Sequence, residues 1–134
     1  MFIASLFSGI LSSMNILANR WNDFSFNLNE IYMISLMISW MYFFMSLIGK
    51  NYQMTLISGI ITIMTIYLIR NQIFINAKQY LRSMVLHHSV AVFMTKQLIK
   101  KNLSLNPELS KLANGIIKTQ EEEIKLMKKL INKK

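Results

Sequence analysis

The chain has 134 residues, 53% of them hydrophobic and 16% charged, where soluble domains carry about 25% charged residues. It has no cysteine, which excludes a disulfide framework and any thiolate metal site. The net charge of +9 is unevenly placed: between Ile31 and Ile69 the only charge is Lys50, whereas residues 71–134 hold twelve Lys/Arg against four Glu. A membrane-like first half therefore precedes a basic, water-facing second half. Beside a membrane such a tail faces anionic headgroups, each basic residue adding about 1 kcal/mol. Nucleic acid is not an expected partner, because few aromatics follow Tyr80 and there is no Arg cluster.

Residues 1–19 are apolar at helical spacing, with Ser5, Ser8, Ser12, Ser13, Asn15 and Asn19 opposite. No basic start or small-residue cleavage site marks a signal peptide. The pattern predicts an amphipathic helix lying on a membrane or a partner, or else packed on the anchor itself. Residues 20–30, RWNDFSFNLNE, look like an interfacial connector with Trp21, Phe24 and Phe26 at headgroup level.

Residues 31–49 carry no charge, and neither do residues 52–69; a membrane helix needs about 20 apolar residues. Gly49-Lys50-Asn51 reads as a tight turn between them. The expectation is a two-pass transmembrane hairpin with both ends on one side. Arg20, Arg70, Lys78 and Arg82 flank those ends against Lys50 in the turn, so the positive-inside rule puts both termini on the cytoplasmic side or its equivalent. Met33, Met37, Met41 and Met45 recur one helical turn apart. Such a stripe could pass a soft cation, but the favoured reading is packing against a neighbouring helix, since methionine fills irregular gaps.

A third helix is predicted over 77–102, a loop over 103–106, and a fourth helix over 107–132. Asn106 suits the N-cap and Pro107 the first helical position. On a helical wheel Tyr80, Met84, His87, Ala91, Met94 and Leu98 share one stripe, with His88 on its edge. In the fourth helix Gln120 and Glu123 fall inside an apolar stripe that includes Ile116, Ile124 and Met127, while Glu121 and Glu122 point to water. A turn centred near 104 brings residue 88 close to residue 120. Polar groups on packing faces need partners, so His87, His88, Gln120 and Glu123 are expected to meet, with Met84, Met94 and Met127 around them. Three readings stay open: a mixed thioether–imidazole–carboxylate metal site, a hydrogen-bonded core network that fixes register, and a histidine switch between pH 5 and 8. No nucleophile–base pair and no glycine-rich phosphate loop is present, so an enzyme is not expected.

M-x-x-H-H-x-x-A-x-x-M from Met84 to Met94, P-E-L-x-x-L-A at 107–113 and Q-x-x-E-I-x-x-M from Gln120 to Met127 together resemble the family catalogued as domain of unknown function 305. The likeness covers residues 77–132. It extends to about residue 31 in the membrane-anchored branch, where two Met-rich transmembrane helices and an LIRNQ-like joint precede the His-His helix. The resemblance implies an all-α, ferritin-like bundle and, for some relatives, copper as ligand. Carried over, the candidate metal ligands are Met84, His87, His88, Met94 and Met127, with Gln120 and Glu123 as further or supporting ligands. The family commonly has Pro where Leu86 stands and an acidic residue before the first Met, both absent here.

Two helices bury too little to stand alone, and Leu86 and Phe93 point away from the hairpin core. A homo-oligomer, most simply a dimer forming a four-helix bundle, or membership of a larger membrane assembly is therefore expected. The expected organisation is 1–30 as N-terminal helix and connector, 31–70 as membrane hairpin, and 71–134 as soluble His/Met hairpin. Two functions follow: metal storage or handling at a membrane, or a structural component of a membrane complex or of a virus particle's internal membrane.

Overall fold

The computed structural model describes residues 2–11, 13–101 and 106–133. The protein is all-α, with no strand among the described residues: α1 Phe2–Leu11, α2 Leu28–Ile48, α3 Tyr52–Arg70, α4 Ala77–Lys101 and α5 Pro107–Asn132. Two short 3-10 turns, Met14–Leu17 and Trp21–Asp23, lie between α1 and α2. The chain forms two compact units, Met1–Ser13 with Leu28–Ile75, and Met14–Asn27 with Asn76–Lys134. Residues 1–30 are thus shared between the units rather than forming a segment of their own.

In the first unit α2 and α3 are each long and apolar enough to cross a membrane. Their polar residues face inward. Ser39, Ser58, Thr62 and Thr65 are buried, the Ser39 and Thr62 hydroxyls pair at 3.0 Å, and Ser46 and Thr55 pair at 3.0 Å nearer the turn. The apolar residues face outward: Leu56 is 67% exposed, Ile63 70% and Phe44 53%. Met33, Met37, Met41 and Met45 also lie on this outer surface. Of these, Met37 lies against α1, its Cε 3.1 Å from where a Gly9 Cβ would be, while Ile34, Ile38 and Ser39 take the buried positions of α2. In the turn Lys50, not Gly49, adopts the left-handed conformation, with φ of 55°. The Asn51 side chain then caps α3 by accepting from the Met54 N–H. At the other end Tyr32 Oη donates to the Ile73 carbonyl.

The N-terminal helix stops at Leu11, short of the predicted residue 19, and a 3-10 turn follows. α1 packs on α2, the second of the two placements expected for it. Gly9 approaches α2 so closely that a Cβ there would sit 2.6 Å from Ile34 Cγ2.

In the second unit α4 and α5 form an antiparallel hairpin. The Asn106 side chain accepts from Glu108 N–H and Pro107 opens α5, as predicted; the rest of the predicted loop, 103–105, lies outside the described residues. Asn76 caps α4 in the same way, accepting from Gln79 N–H. Val85, Ile124 and Met127 make the core of the hairpin, with Leu81, Met84 and Ile131 packed against it. Residues 14–27 run as a strap across another side of α4. Asn19 N–H donates to Ser89 Oγ at 2.8 Å and Ser25 Oγ donates to the Arg82 carbonyl at 3.3 Å.

Candidate functional site

The α4–α5 hairpin sorts the seven predicted ligands into two groups. On α4, Met84 and His88 are one turn apart and turn toward α5; on α5, Glu123 and Met127 are one turn apart and turn toward α4. His88 Nδ1 lies 3.1 Å from Glu123 Oε2, and Met84 packs on the core that holds Met127. The two i,i+4 pairs thus face one another across the antiparallel seam. The register differs from the predicted one by about a turn: residue 88 faces residue 123, not residue 120.

The other three candidates stand apart. His87 is exposed and Met94 is 59% exposed, which corrects their placement on the packing stripe. The physical reason is that α4 has two neighbours in its unit. α5 covers Val85, the strap covers Ser89, and the buried arc also takes in Leu86, Val90 and Val92. That arc turns the Tyr80–His87–Met94 edge to the outside. Gln120 is half-buried, and no hydrogen bond joins it to either histidine; its Oε1 is buried without a partner. It borders a shallow open groove along α5 with Leu112, Gly115, Ile116 and Thr119.

His88 Nδ1 is likewise buried without a hydrogen bond, although Glu123 is within ion-pair range. The separation is short but the angle is not that of a hydrogen bond. Two ligands about 2.1 Å from one ion at a tetrahedral angle stand about 3.4 Å apart. The pair therefore fits a shared cation as well as a bare contact. Among the described residues no three His, Cys, Asp or Glu side chains gather as a metal site, so any ion here would depend on the methionine thioethers. Thioether with imidazole is a donor set for Cu(I) more than for Zn(II).

Glu121, expected to point to water, instead binds Lys96 Nζ at 2.7 Å, with Arg20 at 4.0 Å. The Lys96 hydrogen bond holds its carboxyl below the ordinary 4.5. The most buried polar cluster was not foreseen at all. Asp23 is 2% exposed, accepts from Ser89 Oγ at 2.7 Å and is ion-paired by Lys128 of α5. The one available sign was that Asp23 is the sole acidic residue among the first 29; its partners lie 66 and 105 residues away.

The whole chain is 37% identical to the uncharacterized protein L153 of Acanthamoeba polyphaga mimivirus, over 139 residues and 90% of that protein. No solved structure matches. Residues 70–131 match the domain of unknown function DUF305, the stretch that carries α4, α5 and the His88–Glu123 contact, and the chain belongs to that family.

Proposed function

We propose that the protein is a two-pass membrane protein whose tail hairpin holds a soft cation, most simply Cu(I), for storage or handling. The membrane part rests on the inverted surface of α2 and α3, with hydroxyls inside and large apolar side chains outside. Water would drive the opposite sorting, whereas lipid favours it. At 1.5 Å per residue the 21 residues of α2 span about 31 Å, close to the roughly 30 Å hydrocarbon core. Both ends of the hairpin then share one side, the cytoplasmic one by the balance of flanking Lys and Arg.

The observation that carries the metal part is the buried, hydrogen-bond-free His88 Nδ1 facing Glu123. His88 and Glu123 would hold the ion, with Met84 and Met127 supplying thioethers. His87 and Met94 are outside this group. The test is a Cu(I) titration of the detergent-purified chain against a chromogenic chelator. One ion per chain is expected, lost in His88→Ala and kept in His87→Ala. Equal binding by both variants, or none by the parent, overturns the metal reading.

A second reading is favoured by the same contact. A protonated His88 closes on Glu123 as an ion pair and needs no metal. The tail is then a packing and assembly element of a membrane complex or of a viral internal membrane, and the virus-encoded relative is consistent with that setting. A parent that binds no copper yet loses stability in His88→Ala supports it.

A further inference from the structure

The strap, residues 14–27, is sorted inside out. Three of its polar side chains are turned in: Asn15 is 3% exposed, Asp23 2% and Asn27 3%, while Arg20 and Asn22 are exposed. Its apolar side chains are turned out: Trp21 is 90% exposed, Ile16 68%, Phe26 52% and Phe24 46%. A segment meant for water would expose the first set and bury the second. Nothing loose produces this display, because the inward groups are tied down. Asn15 Oδ1 accepts from Ser25 N–H at 3.0 Å, Asn19 N–H and Asp23 both bind Ser89 of α4, and Lys128 of α5 ion-pairs with Asp23. Phe24 and Phe26 pack edge to face at 5.7 Å, which holds two of the outward rings in fixed positions.

We infer that this strap is a membrane-docking surface, and that through it the tail unit has its own contact with the bilayer headgroups. The inference rests on the two-pass reading, since it takes the start of α2 as the bilayer boundary. Chain length then leaves little choice. Consecutive residues span at most about 3.6 Å each, so Phe26 lies within about 7 Å of Leu28 and Phe24 within about 14 Å. The polar zone on each face of a bilayer is about 5 to 8 Å deep. Phe26 is therefore in or beside the headgroups, and Phe24 and Trp21 have the reach to join it. Aromatic rings are the side chains that settle at this depth. Arg20, its side chain 63% exposed and only loosely paired with Glu121 at 4.0 Å, adds a positive charge beside Trp21 for anionic lipid. A covalent linker would leave the tail free to swing. A strap bonded to both α4 and α5 instead makes the docked rings part of the tail.

The two tryptophans allow a direct test, because each can be made the only one. The full-length chain is placed in vesicles of phosphatidylcholine with a minority of phosphatidylglycerol, brominated either near the acyl carbonyl or near the chain end. In Trp40→Phe the remaining Trp21 is expected to emit to the blue of a water-exposed tryptophan and to lose most emission with the shallow bromine. Water-like emission with no quenching overturns the proposal. Blue emission that neither bromine quenches also overturns it, since Trp21 is then covered by protein. In Trp21→Phe the remaining Trp40, inside α2, is expected to be quenched best by the deep bromine. If Trp40 is unquenched the two-pass reading has failed; if only Trp21 is unquenched the docking inference alone has failed.

Discussion

At the scale of single residues, the tail is held by a carboxylate that its neighbours make indispensable. Asp23 is 2% exposed and bound by Ser89 and Lys128. Hydrogen bonds to a charged group contribute about 1.5 to 3 kcal/mol, and removing one partner leaves the others unsatisfied. Asp23→Ala is therefore expected to lower tail stability by about 2 kcal/mol, with Lys128 softening the loss because it can turn to water. Urea denaturation followed by circular dichroism in detergent would read this, and an unchanged midpoint would remove Asp23 from its central place. Glu121 is a weaker case. Its carboxyl titrates below 4.5 because of Lys96, so its contribution is present above that ordinary value and is lost as the pH falls through the lowered one. Lys96 is 42% exposed at its side chain, and pairs of this kind contribute under about 1 kcal/mol. Lys96→Met is expected to cost little at neutral pH and to flatten the acid limb of a stability–pH curve.

At the scale of elements, two glycines separate contact from propensity. Gly9 faces α2 with Ile34 2.6 Å from where its Cβ would be, so Gly9→Val is expected to push α1 off the hairpin. Gly115 has nothing within 4 Å of such a Cβ. There Gly115→Ala removes only glycine's helix penalty, and a gain of about 0.5 to 1 kcal/mol in α5 is expected. Hydrogen exchange of α1 and α5 in the two variants checks both. The helices themselves were legible from charge-free length, from the Gly49-Lys50-Asn51 turn and from the Asn106-Pro107 start, because these are local effects. The arc of α4 that is buried was not. Met84, His87, Ala91 and Met94 fall on one stripe while Val85, Leu86, Val90 and Val92 fall on a neighbouring arc, and a wheel drawn around the histidines favours the first. The strap chooses, by laying Asn19 and Asp23 against Ser89.

At the scale of the whole molecule, the outer surface is what distinguishes lipid from water. Ile63 is 70% exposed near the middle of α3. Ile63→Lys on a soluble protein's surface would change little. On a lipid-facing helix a central Lys costs about 2.5 to 3.5 kcal/mol of insertion. The expected result is loss of the chain from carbonate-washed membranes. Retention there, or a soluble and folded variant, would contradict the membrane reading.

The sequence by itself determined the four longer helices, the Asn106 cap of α5, the turn after α2, the charge-free hairpin and the family of the tail, because each depends on residues within a few turns of one another. It also named Met84, His88, Glu123 and Met127, though among others. Only the tertiary structure decided that His88 faces Glu123, that His87 and Met94 do not join them, and that residues 14–27 belong to the tail through Asp23, Ser89 and Lys128. Those choices follow from which helix faces are already covered, and coverage is set by partners up to 105 residues away, which no local pattern encodes.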